Sequence, residues 1–293
     1  MVDLESVLRD LGLNPREVRV LAVISRSAGT RLYRLRIEGK TYVLKRFLDE
    51  DAREPRAYDL LRDLGVPTLP VHDSTLSALL LEDLDASPTW RLAHERDVAH
   101  RELGRAVAEW YQFLHIAGKG LVKRGPPDWL RWEWDDLTPE GILRAGKVLA
   151  MEENPVWEYA ARHVEALRAR ARELPTTLNY NDFHWTNLAL SRQPPLRAIV
   201  FDYHLLGIGL AWSDVRNVTH SLGPAAREAF LDAYGPTRPE ERILDEPLSV
   251  LHALQVATAR PTIPRWAVES VNRARSGALL AALERAVALL GGS

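Results

Sequence analysis

Three polar residues in the second half of the chain have the types and the spacing that phosphoryl transfer requires. Asp182 is followed five positions later by Asn187, and Asp202 stands just beyond a short apolar run. In transfer from a nucleotide, one carboxylate orients or deprotonates the attacking hydroxyl, while an amide and another carboxylate hold the magnesium that bridges the phosphates. The segment from residue 180 to residue 203 therefore predicts a phosphoryl-transfer centre.

The elements around these residues are expected to bring them together. The interval between Asp182 and Asn187 predicts a tight loop whose two aromatic residues anchor it to the core. Residues 188–191 and 197–202 then predict a hairpin that returns Asp202 to the side of Asn187. An aspartate–asparagine pair at this spacing is common by chance. A following apolar strand that ends in aspartate, with a lysine-bearing sheet upstream, is much harder to obtain by accident.

A lysine is informative in this chain because 33 arginines stand against 5 lysines. Lys45 lies at the end of a predicted strand, where a lysine can reach nucleotide phosphates if a carboxylate holds it in place. Glu54, at the start of the following predicted helix, is the natural partner. The alternative is a solvated edge-strand lysine beside a helix-capping glutamate. We favour the phosphate-binding interpretation because of the residues downstream.

Two further segments carry weaker signals for nucleotide binding. Ser27 and Gly29 belong to a run of small residues between the first two predicted strands, where backbone N–H groups could approach phosphates. A plain hairpin loop explains that run equally well. Backbone groups from Glu82 to Leu84, at the end of an apolar strand, could hold an adenine ring. The alternative there is a buried strand followed by a polar turn.

The periodicity of apolar residues predicts an α+β protein, with a small antiparallel sheet and one helix followed by a larger, mainly helical part. The boundary is expected near residue 83, giving segments 1–83 and 84–293. The predicted strands are 18–24, 31–37, 42–47, 69–72, 78–81, 188–191 and 197–202. The predicted helices are 3–11, 52–64, 91–117, 139–150 and 154–173, with an irregular segment at 118–139 and further helix from 203 to 290.

The composition is that of an ordinary soluble globular protein, with 46% hydrophobic residues, 27% charged residues and a net charge of -2. This balance gives no support for a nucleic-acid partner, which usually requires a strongly basic face. The absence of cysteine excludes disulfides and cysteine-based metal or redox chemistry. No secretory signal or membrane-length apolar run is visible, so a cytoplasmic protein without a membrane partner is expected. The oligomeric state is left open.

At these positions the sequence resembles the aminoglycoside phosphotransferase and choline kinase group of kinase-like proteins, and the likeness covers most of the chain. The positions that carry it are Lys45, Glu54, the corner from Leu80 to Glu82, Leu114, His115, Asp182, His184, Asn187, Asp202 and Asp214. The resemblance implies a two-lobed protein-kinase-like fold. It also implies Asp182 as catalytic base, Asn187 and Asp202 as magnesium ligands and Lys45 as a phosphate contact.

Two departures from the family pattern bear on activity. Tyr180 and Asn181 stand where the family usually has histidine and glycine, and residues 25–30 are poorer in glycine than the family's phosphate loop. All the charged and metal-binding groups are retained, so we expect a small-molecule kinase that uses ATP or GTP with Mg²⁺. The alternatives are a kinase-like protein that binds nucleotide without transferring phosphate, and a sugar or amino-alcohol kinase of the same family. A protein kinase is disfavoured because no Ala-Pro-Glu segment follows Asp202.

The segment 129–136, which contains three tryptophans and three carboxylates, is the best pointer to the acceptor. Tryptophan faces combined with carboxylates can hold a cationic amine. This composition suggests a small hydroxylated cation, such as an amino sugar or an amino alcohol. The alternative, at least as good, is that these tryptophans pack the segment onto neighbouring helices.

The remaining candidates receive structural interpretations. His184 has no second histidine at ligand spacing nearby, so it is expected to be a structural residue of the loop. The other histidines considered are expected to be surface or core residues; they are His94, His100, His204 and His220. Asp214 is expected either to brace the catalytic loop, as the resemblance implies, or to act as a helix N-cap.

Overall fold

The computed structural model describes residues 4–26, 29–49 and 52–291. The chain forms two compact units, each assembled from separate stretches of sequence. The first comprises Met1–Ala117, Tyr180–Leu206 and Asn217–Gly235, and the second comprises Gly118–Asn179, Gly207–Arg216 and Pro236–Ser293. A small antiparallel sheet and a large helical part are both present, so the predicted α+β class is confirmed. The boundary near residue 83 stays a prediction.

The strands and helices have the following bounds. The strands are β1 (Val18–Arg26), β2 (Thr30–Ile37), β3 (Lys40–Phe47), β4 (Val71–Thr75), β5 (Ala78–Glu82), β6 (Trp90–Leu92), β7 (Thr176–Asn179), β8 (Leu188–Ser191), β9 (Ala198–Val200) and β10 (Gly207–Leu210). The helices are α1 (Leu4–Asp10), α2 (Glu54–Asp63), α3 (Arg101–Arg124), α4 (Pro139–Val148), α5 (Val156–Glu173), α6 (Ala211–Ser221), α7 (Pro224–Tyr234), α8 (Pro239–Thr258), α9 (Val268–Arg275) and α10 (Ala278–Ala288). Among the described residues, no helix is long and apolar enough to cross a membrane.

The first unit contains a five-stranded antiparallel sheet in the order β1-β2-β3-β5-β4. The hairpin between β2 and β3 turns at Glu38 and Gly39, both at positive φ, as is usual for a two-residue hairpin turn. On one face, α1 buries Val7 and Leu8 against sheet residues that include Leu44. Burial of such apolar side chains stabilises the sheet by about 25 cal/mol per Å² removed from water. The position of β3, the strand of this sheet that carries Lys45, is thereby stabilised.

Helix α2 lies between β3 and β4 in the chain and starts at Glu54. Pro55 occupies the first turn, where its missing N–H is no loss. The buried side chains Ala57, Tyr58 and Leu61 recur at helical spacing, so this face packs inward. The carboxylate of Glu54 is carried inward with them and is 2% exposed. The amphipathic pattern of α2 thus fixes the position of an ionisable group.

The predicted helix from 91 to 117 is wrong at both ends. Residues Trp90–Leu92 form β6, which pairs with β8 in a three-stranded sheet of order β6-β8-β9. A short 3-10 turn, Glu95–Ala99, comes next, and its start is capped by the Asp97 side chain. Helix α3 begins only after it, at Arg101. The arginine-to-aspartate contact between Arg91 and Asp97, at 2.7 Å, fastens the strand to this turn.

Helix α3 also continues to Arg124, into the segment predicted as irregular from 118 to 139. Gly118 is a packing residue and not a helix breaker. A Cβ added to it would lie 2.3 Å from the backbone nitrogen of Leu178. The helix ends before Pro126 and Pro127, and the irregular segment is therefore limited to residues 125–138.

In the second unit, helices α4, α5, α8 and α10 surround a core of aliphatic residues with Trp134 and Trp157. Strands β7 and β10 form a two-stranded antiparallel sheet within the same unit. The prediction of continuous helix after residue 203 is wrong for β10, whose sequence is Gly-Ile-Gly-Leu. Two glycines weaken helix formation by roughly 1 kcal/mol each, which leaves the β-branched isoleucine free to favour a strand.

Candidate active site

The loop that contains Asp182 is organised by Asn187. The amide nitrogen of Asn187 donates to the Asp182 carboxylate at 2.9 Å and to the Asp182 carbonyl at 3.2 Å. A 3-10 turn, Trp185–Asn187, closes the loop, and the ring of His184 accepts a hydrogen bond from the Thr186 backbone at its start. The tight loop predicted from the spacing is present, and His184 has a local structural contact as expected.

The departure from the family pattern at Tyr180 and Asn181 is accommodated by the structure. Tyr180 is fully buried, and its hydroxyl donates to the carbonyl of Phe201 at 2.6 Å. Its ring lies edge-on to Trp110 and Tyr203 at 6.0 Å from each. Asn181 has φ +66°, a conformation that asparagine adopts more readily than most residues other than glycine. A tyrosine scaffold and a left-handed asparagine therefore replace the expected histidine and glycine.

The hairpin of β8 and β9 brings Asp202 beside Asn187. Leu188 pairs with Val200, and the backbone N–H of Phe201 donates to the Asn187 carbonyl at 3.0 Å. Asp202 is the next residue and has φ +70°, which few residues other than glycine adopt. The chain therefore leaves the strand sharply at this point. The expected return of Asp202 to the loop is what the structure shows.

Lys45 joins the sheet to Asp202. Its ammonium nitrogen lies 2.6 Å from Glu54 Oε2 and 2.8 Å from Asp202 Oδ1. The Lys45 side chain is 10% exposed and that of Glu54 is 2% exposed. The ammonium also lies 5.6 Å from the centre of the Phe47 ring. The predicted Lys45–Glu54 partnership is present, and these two residues and Asp202 form a charge cluster.

Burial and charge act against each other in this cluster. Burial raises the pKa of Glu54 to about 7, although Lys45 opposes the shift. Burial disfavours the charged form of Lys45, but the carboxylates of Glu54 and Asp202 outweigh it and raise the Lys45 pKa. Burial also disfavours ionised Asp202, yet the hydrogen bond from His204 and the charge of Lys45 hold its pKa below the usual range. Lys45 and Asp202 are therefore both charged at neutral pH.

His204 belongs to the site, although the sequence interpretation treated it as a surface or core residue. Its Nδ1 lies 2.9 Å from Asp202 Oδ1. The hydrogen bond with Asp202 raises the pKa of His204, and the charge of Asp182 adds to the shift. In the sequence, the one indication of this contact is that His204 lies two residues after Asp202. The spacing indicates a contact only when the positive φ of Asp202 is known, because that conformation turns the chain sharply.

Asp182 is less buried than the charge cluster. Partial burial raises its pKa, while the charge of His204 and the hydrogen bond from Asn187 oppose the shift. A carboxylate with a raised pKa is a better proton acceptor than one held at its usual value. Asp182 therefore combines a fixed orientation with increased basicity.

The charge cluster lines a cavity of about 580 Å³ within the first unit. Its walls come from the end of β1, the start of β2, the end of β3, the segment before α2 and the residues after β9. The lining residues are Ser25, Gly29, Thr30, Leu32, Lys45, Phe47, Asp49, Ala52, Arg53, Glu54, Asp202 and His204. Ser27 lies outside the described residues. Of the nucleotide-contact residues predicted from sequence, Gly29, Lys45 and Glu54 are brought together here.

Glu82 and Leu84 lie at a different place, in the corner after β5. Leu84 is buried, and its carbonyl accepts a hydrogen bond from Arg192 at 3.3 Å. The backbone N–H of Glu82 is bonded to the carbonyl of Pro70 at 3.1 Å. Arg34 of β2 holds the intervening Asp83 at 2.9 Å. These contacts fix the shape of the corner, and the role of its backbone in base binding stays a prediction.

The tryptophan-rich segment, 129–136, lies in the second unit and is engaged by the protein itself. Arg172 stands over the ring of Trp132 at 5.4 Å and also pairs with Asp135. Arg168 contacts the same carboxylate at 3.3 Å. Glu133 is half-buried, and its carboxyl group accepts a hydrogen bond from Ser213. The structure therefore supports the packing alternative for this segment, because arginines of α5 already engage Trp132 and Asp135, and Glu133 is bonded to Ser213.

Glu133 lies beside a second buried acceptor. A Cβ added to Gly209 would come within 2.4 Å of Glu133 Oε2 and 3.2 Å of Asn179 Oδ1. Both oxygens are buried and have no hydrogen-bond partner among the described residues. Burial raises the pKa of Glu133 to about 8, and the charge of Asp245 adds to the shift. A neutral Glu133 can donate a proton toward Asn179, which removes the conflict between two acceptors.

Asp214 lies in the first turn of α6 and is fully buried. An acidic residue in that position is favourable to the helix, because the first-turn N–H groups carry partial positive charge. Asp214 is nevertheless the fourth residue inside α6, so the N-cap interpretation is wrong: the helix begins earlier, at Ala211, directly after β10. The proposed contact of Asp214 with the catalytic loop stays a prediction.

The donor set at Asp202 fits a magnesium ion shared with phosphates. No group of three or more His, Cys, Asp or Glu side chains able to hold a metal occurs among residues 4–26, 29–49 and 52–291. Magnesium bound to nucleotides usually takes only one or two protein oxygens, and phosphates and water complete its shell. Asp202 supplies a carboxylate and the neighbouring Asn187 an amide, which are the ligand types required.

The site combines a lysine on an antiparallel sheet with a glutamate on the following helix. It also has an aspartate-bearing loop and a second aspartate that contacts the lysine. These features together define the class of kinase-like phosphotransferases. The chain belongs to the phosphotransferase enzyme family known as APH, whose family model matches residues 20–244. No curated protein sequence matches the chain.

Solved structures share the fold at low sequence identity. A choline/ethanolamine kinase family protein from Mesorhizobium loti has a TM-score of 0.57 and 16% identity, over 98% of each chain. Ethanolamine kinase from Plasmodium vivax has a TM-score of 0.56 and 11% identity, over 96% of this chain and 88% of the other. Macrolide 2'-phosphotransferase from Brachybacterium faecium has a TM-score of 0.54 and 17% identity, over 92% of this chain and 98% of the other.

Proposed function

We propose that this member of the phosphotransferase family transfers the γ-phosphate of ATP or GTP to a hydroxyl group of a small molecule, with Mg²⁺ as cofactor. The observation that carries the proposal is the contact of Lys45 with both Glu54 and Asp202 at the wall of a cavity. A lysine that contacts two carboxylates can give up one of these contacts and bind a phosphate in its place. The hydrogen bond between Phe201 and Asn187 puts the Asp182 loop next to this cluster.

The residues divide the work of holding the donor nucleotide. Lys45 contacts the phosphates, and Glu54 keeps its ammonium in position. The backbone at Ser27 and Gly29 approaches the phosphates, while the backbone from Glu82 to Leu84 holds the base. All of these residues except Leu84, which directly follows the boundary, belong to segment 1–83. We take this segment as the nucleotide-binding part, with 84–293 providing the catalytic loop and the acceptor site. Use of a nucleoside triphosphate implies a cytoplasmic protein.

Asn187 and Asp202 are the residues that would hold magnesium. The bound ion supplies charge neutralisation at the phosphates. The amide nitrogen of Asn187 is committed to Asp182 by two hydrogen bonds, so the amide group is oriented before any ligand arrives. Pre-orientation of this kind lowers the cost of assembling the reacting groups.

Asp182 acts on the acceptor. Its carboxylate orients the attacking hydroxyl and accepts its proton, and its raised pKa favours that acceptance. The phosphoryl group then passes directly from nucleotide to hydroxyl, without a covalent intermediate on the protein. The Asn187 hydrogen bond holds one carboxylate oxygen, which keeps the group from turning away from the acceptor.

The acceptor is proposed to be a small hydroxylated molecule. The related structures named above are a macrolide phosphotransferase and choline or ethanolamine kinases, so both bulky and small hydroxyl compounds are reasonable test acceptors. A cationic group is not required, because Asp135 of the tryptophan-rich segment is already paired with Arg168 and Arg172. Amines and neutral hydroxyl compounds therefore belong in the same panel.

The test is a nucleotide-consumption assay of the purified protein with macrolides, aminoglycosides, amino alcohols and sugars. Asp182→Asn should lower turnover by a factor on the order of 100 or more, while nucleotide binding is retained. Asp128→Asn, which changes an exposed aspartate, is the matched control and should leave turnover unchanged. Undiminished turnover in Asp182→Asn would contradict the assignment. Nucleotide binding without transfer to any acceptor would favour the alternative of a kinase-like binding protein.

A further inference from the structure

Two nitrogen atoms, one from Lys45 and one from His204, contact the same carboxylate oxygen of Asp202. Lys45 Nζ lies 2.8 Å from Oδ1, and His204 Nδ1 lies 2.9 Å from Oδ1. Oδ2 has no hydrogen-bond partner in the part of the chain that the structure describes. One oxygen of the carboxylate is therefore committed to protein donors, and the other is left to a ligand.

The backbone holds His204 firmly in this position. The neighbouring Tyr203 is buried, and its hydroxyl donates to the carbonyl of Val200. Its ring lies 4.7 Å from that of Tyr58. On the other side, the N–H of Leu206 bonds to the Tyr203 carbonyl at 3.1 Å. The turn that carries His204 is thus fixed on both sides, while the imidazole itself lines the cavity beside Lys45 and Glu54.

The two donors are not equivalent once a nucleotide is present. In the proposed reaction Lys45 turns to the phosphates and is shared with Glu54, so its hold on Oδ1 weakens. His204 lies in the same turn as Asp202 and has no such competing task. Donation needs a proton on Nδ1, which both the neutral Nδ1–H tautomer and the imidazolium carry. His204 can therefore keep the carboxylate oriented throughout.

We propose that His204 is a positioning residue that holds Oδ1 of Asp202 and thereby presents Oδ2 to the metal of the metal–nucleotide complex. The proposal rests on the phosphotransferase function argued above. A hydrogen-bond partner behind a metal ligand fixes the direction of its lone pairs, and its loss typically weakens metal binding by roughly 10- to 100-fold. Among the described residues, His204 is the one hydrogen-bond donor to the Asp202 carboxylate that comes from the same turn, since Lys45 reaches it from β3.

The direct test measures metal binding without turnover. Mn²⁺ serves as the probe, and its free concentration is followed by electron paramagnetic resonance in the presence of a non-hydrolysable ATP analogue. His204→Ala should weaken Mn²⁺ binding to the protein–analogue complex about 10-fold. His204→Asn should restore it, because the asparagine amide can place an N–H donor where Nδ1 lies. Binding of the analogue without metal, followed by tryptophan fluorescence, should be the same in all variants.

The control variant is His100→Ala, which removes an exposed histidine far along the chain from Asp202 and should change neither measurement. In the transfer assay, His204→Ala should need more Mg²⁺ for half-maximal rate, and saturating Mg²⁺ should restore most of kcat.

A wild-type affinity for Mn²⁺ in His204→Ala would overturn the inference, as would failure of His204→Asn to restore binding. If the wild-type protein itself binds no metal–nucleotide complex, the proposed function fails and the inference with it. If the wild-type protein transfers phosphate and His204→Ala binds metal as tightly as wild type, only the inference about His204 is overturned and the proposed function stands.

Discussion

At the scale of single residues, two sharp turns of the candidate site are formed by residues that tolerate a left-handed backbone. Asn181 has φ +66° and Asp202 has φ +70°, and each marks a sharp turn next to a proposed catalytic or metal-binding group. Residues held in such conformations cost of order 1–3 kcal/mol each and persist where surrounding contacts determine them. Here the Tyr180 hydrogen bond to Phe201 ties the two turns together. The unusual Tyr-Asn pair before Asp182 is therefore compatible with an intact loop.

The first prediction concerns Asn181. Asn181→Val should destabilise the protein by about 1–2 kcal/mol relative to Asn181→Gly, because a β-branched side chain in the left-handed region crowds the following carbonyl. Urea denaturation of the two variants measures this difference. Asn181→Gly, which restores the residue usual in the family, is the matched control. Equal stabilities would show that the left-handed turn is relaxed by the surrounding loop.

At the scale of elements, two glycines within α3 allow the effect of helix propensity on stability to be distinguished from the effect of packing. Gly118 and Gly120 lie two residues apart in the same helix. A Cβ on Gly118 would overlap the backbone of β7, at 2.3 Å from Leu178 N, whereas a Cβ on Gly120 would meet only the end of the Arg124 side chain at 3.3 Å. A long side chain can move aside, but a strand backbone cannot. Position 118 therefore requires glycine for packing, whereas position 120 has room for a larger residue.

The second prediction follows from that difference. Gly120→Ala should stabilise the protein by about 0.5–1 kcal/mol, because alanine has the better helix propensity. Gly118→Ala should destabilise it by about 1–3 kcal/mol, the usual cost of overpacking. Thermal or urea unfolding of both variants provides the measurement, with each variant serving as the control for the other. A stabilised Gly118→Ala protein would mean that β7 can move away from α3.

The sequence predicted most elements but not their exact ends. Strands β2 and β3 and helix α2 have strong periodicity, so the Lys45–Glu54 pair could be foreseen from a strand lysine and a helix glutamate. The start of α3 was missed because β6 and its short turn are held by tertiary partners, including the pairing with β8. The contact of His204 was missed because it depends on the φ of Asp202, which no propensity predicts.

At the scale of the whole molecule, a buried carboxyl group in the second unit should make stability depend on pH. The pKa of Glu133 is raised from 4.5 to about 8 by burial first and by Asp245 next, with Ser213 and Arg216 opposing and Asp214 adding to the shift. Between these values the folded protein keeps a proton that the unfolded chain has lost. Stability therefore falls as pH rises from about 4.5 to about 8, and its contribution is fully present only below that range.

The third prediction is that Glu133→Gln reduces this pH dependence. The amide retains the shape of the protonated carboxyl group and supplies a donor toward Asn179 Oδ1. The variant should be more stable than wild type at high pH, with a smaller difference at low pH. Urea denaturation at pH of about 5 and about 9 measures both values. Glu153→Gln, at an exposed position, is the control and should follow the wild-type curve. Parallel curves for wild type and Glu133→Gln would show that Glu133 is ionised in the folded state.

The burial of Lys45 has a practical consequence for handling the protein. The other four lysines, Lys40, Lys119, Lys123 and Lys147, are all exposed. Acylating reagents attack the neutral amine, and the raised pKa of Lys45 keeps that form scarce in a place where access is also limited. Coupling through lysine should therefore attach the protein to a surface or a dye at peripheral points only. The same scarcity of lysine that singled out Lys45 in the sequence thus leaves the cavity beside it open after conjugation.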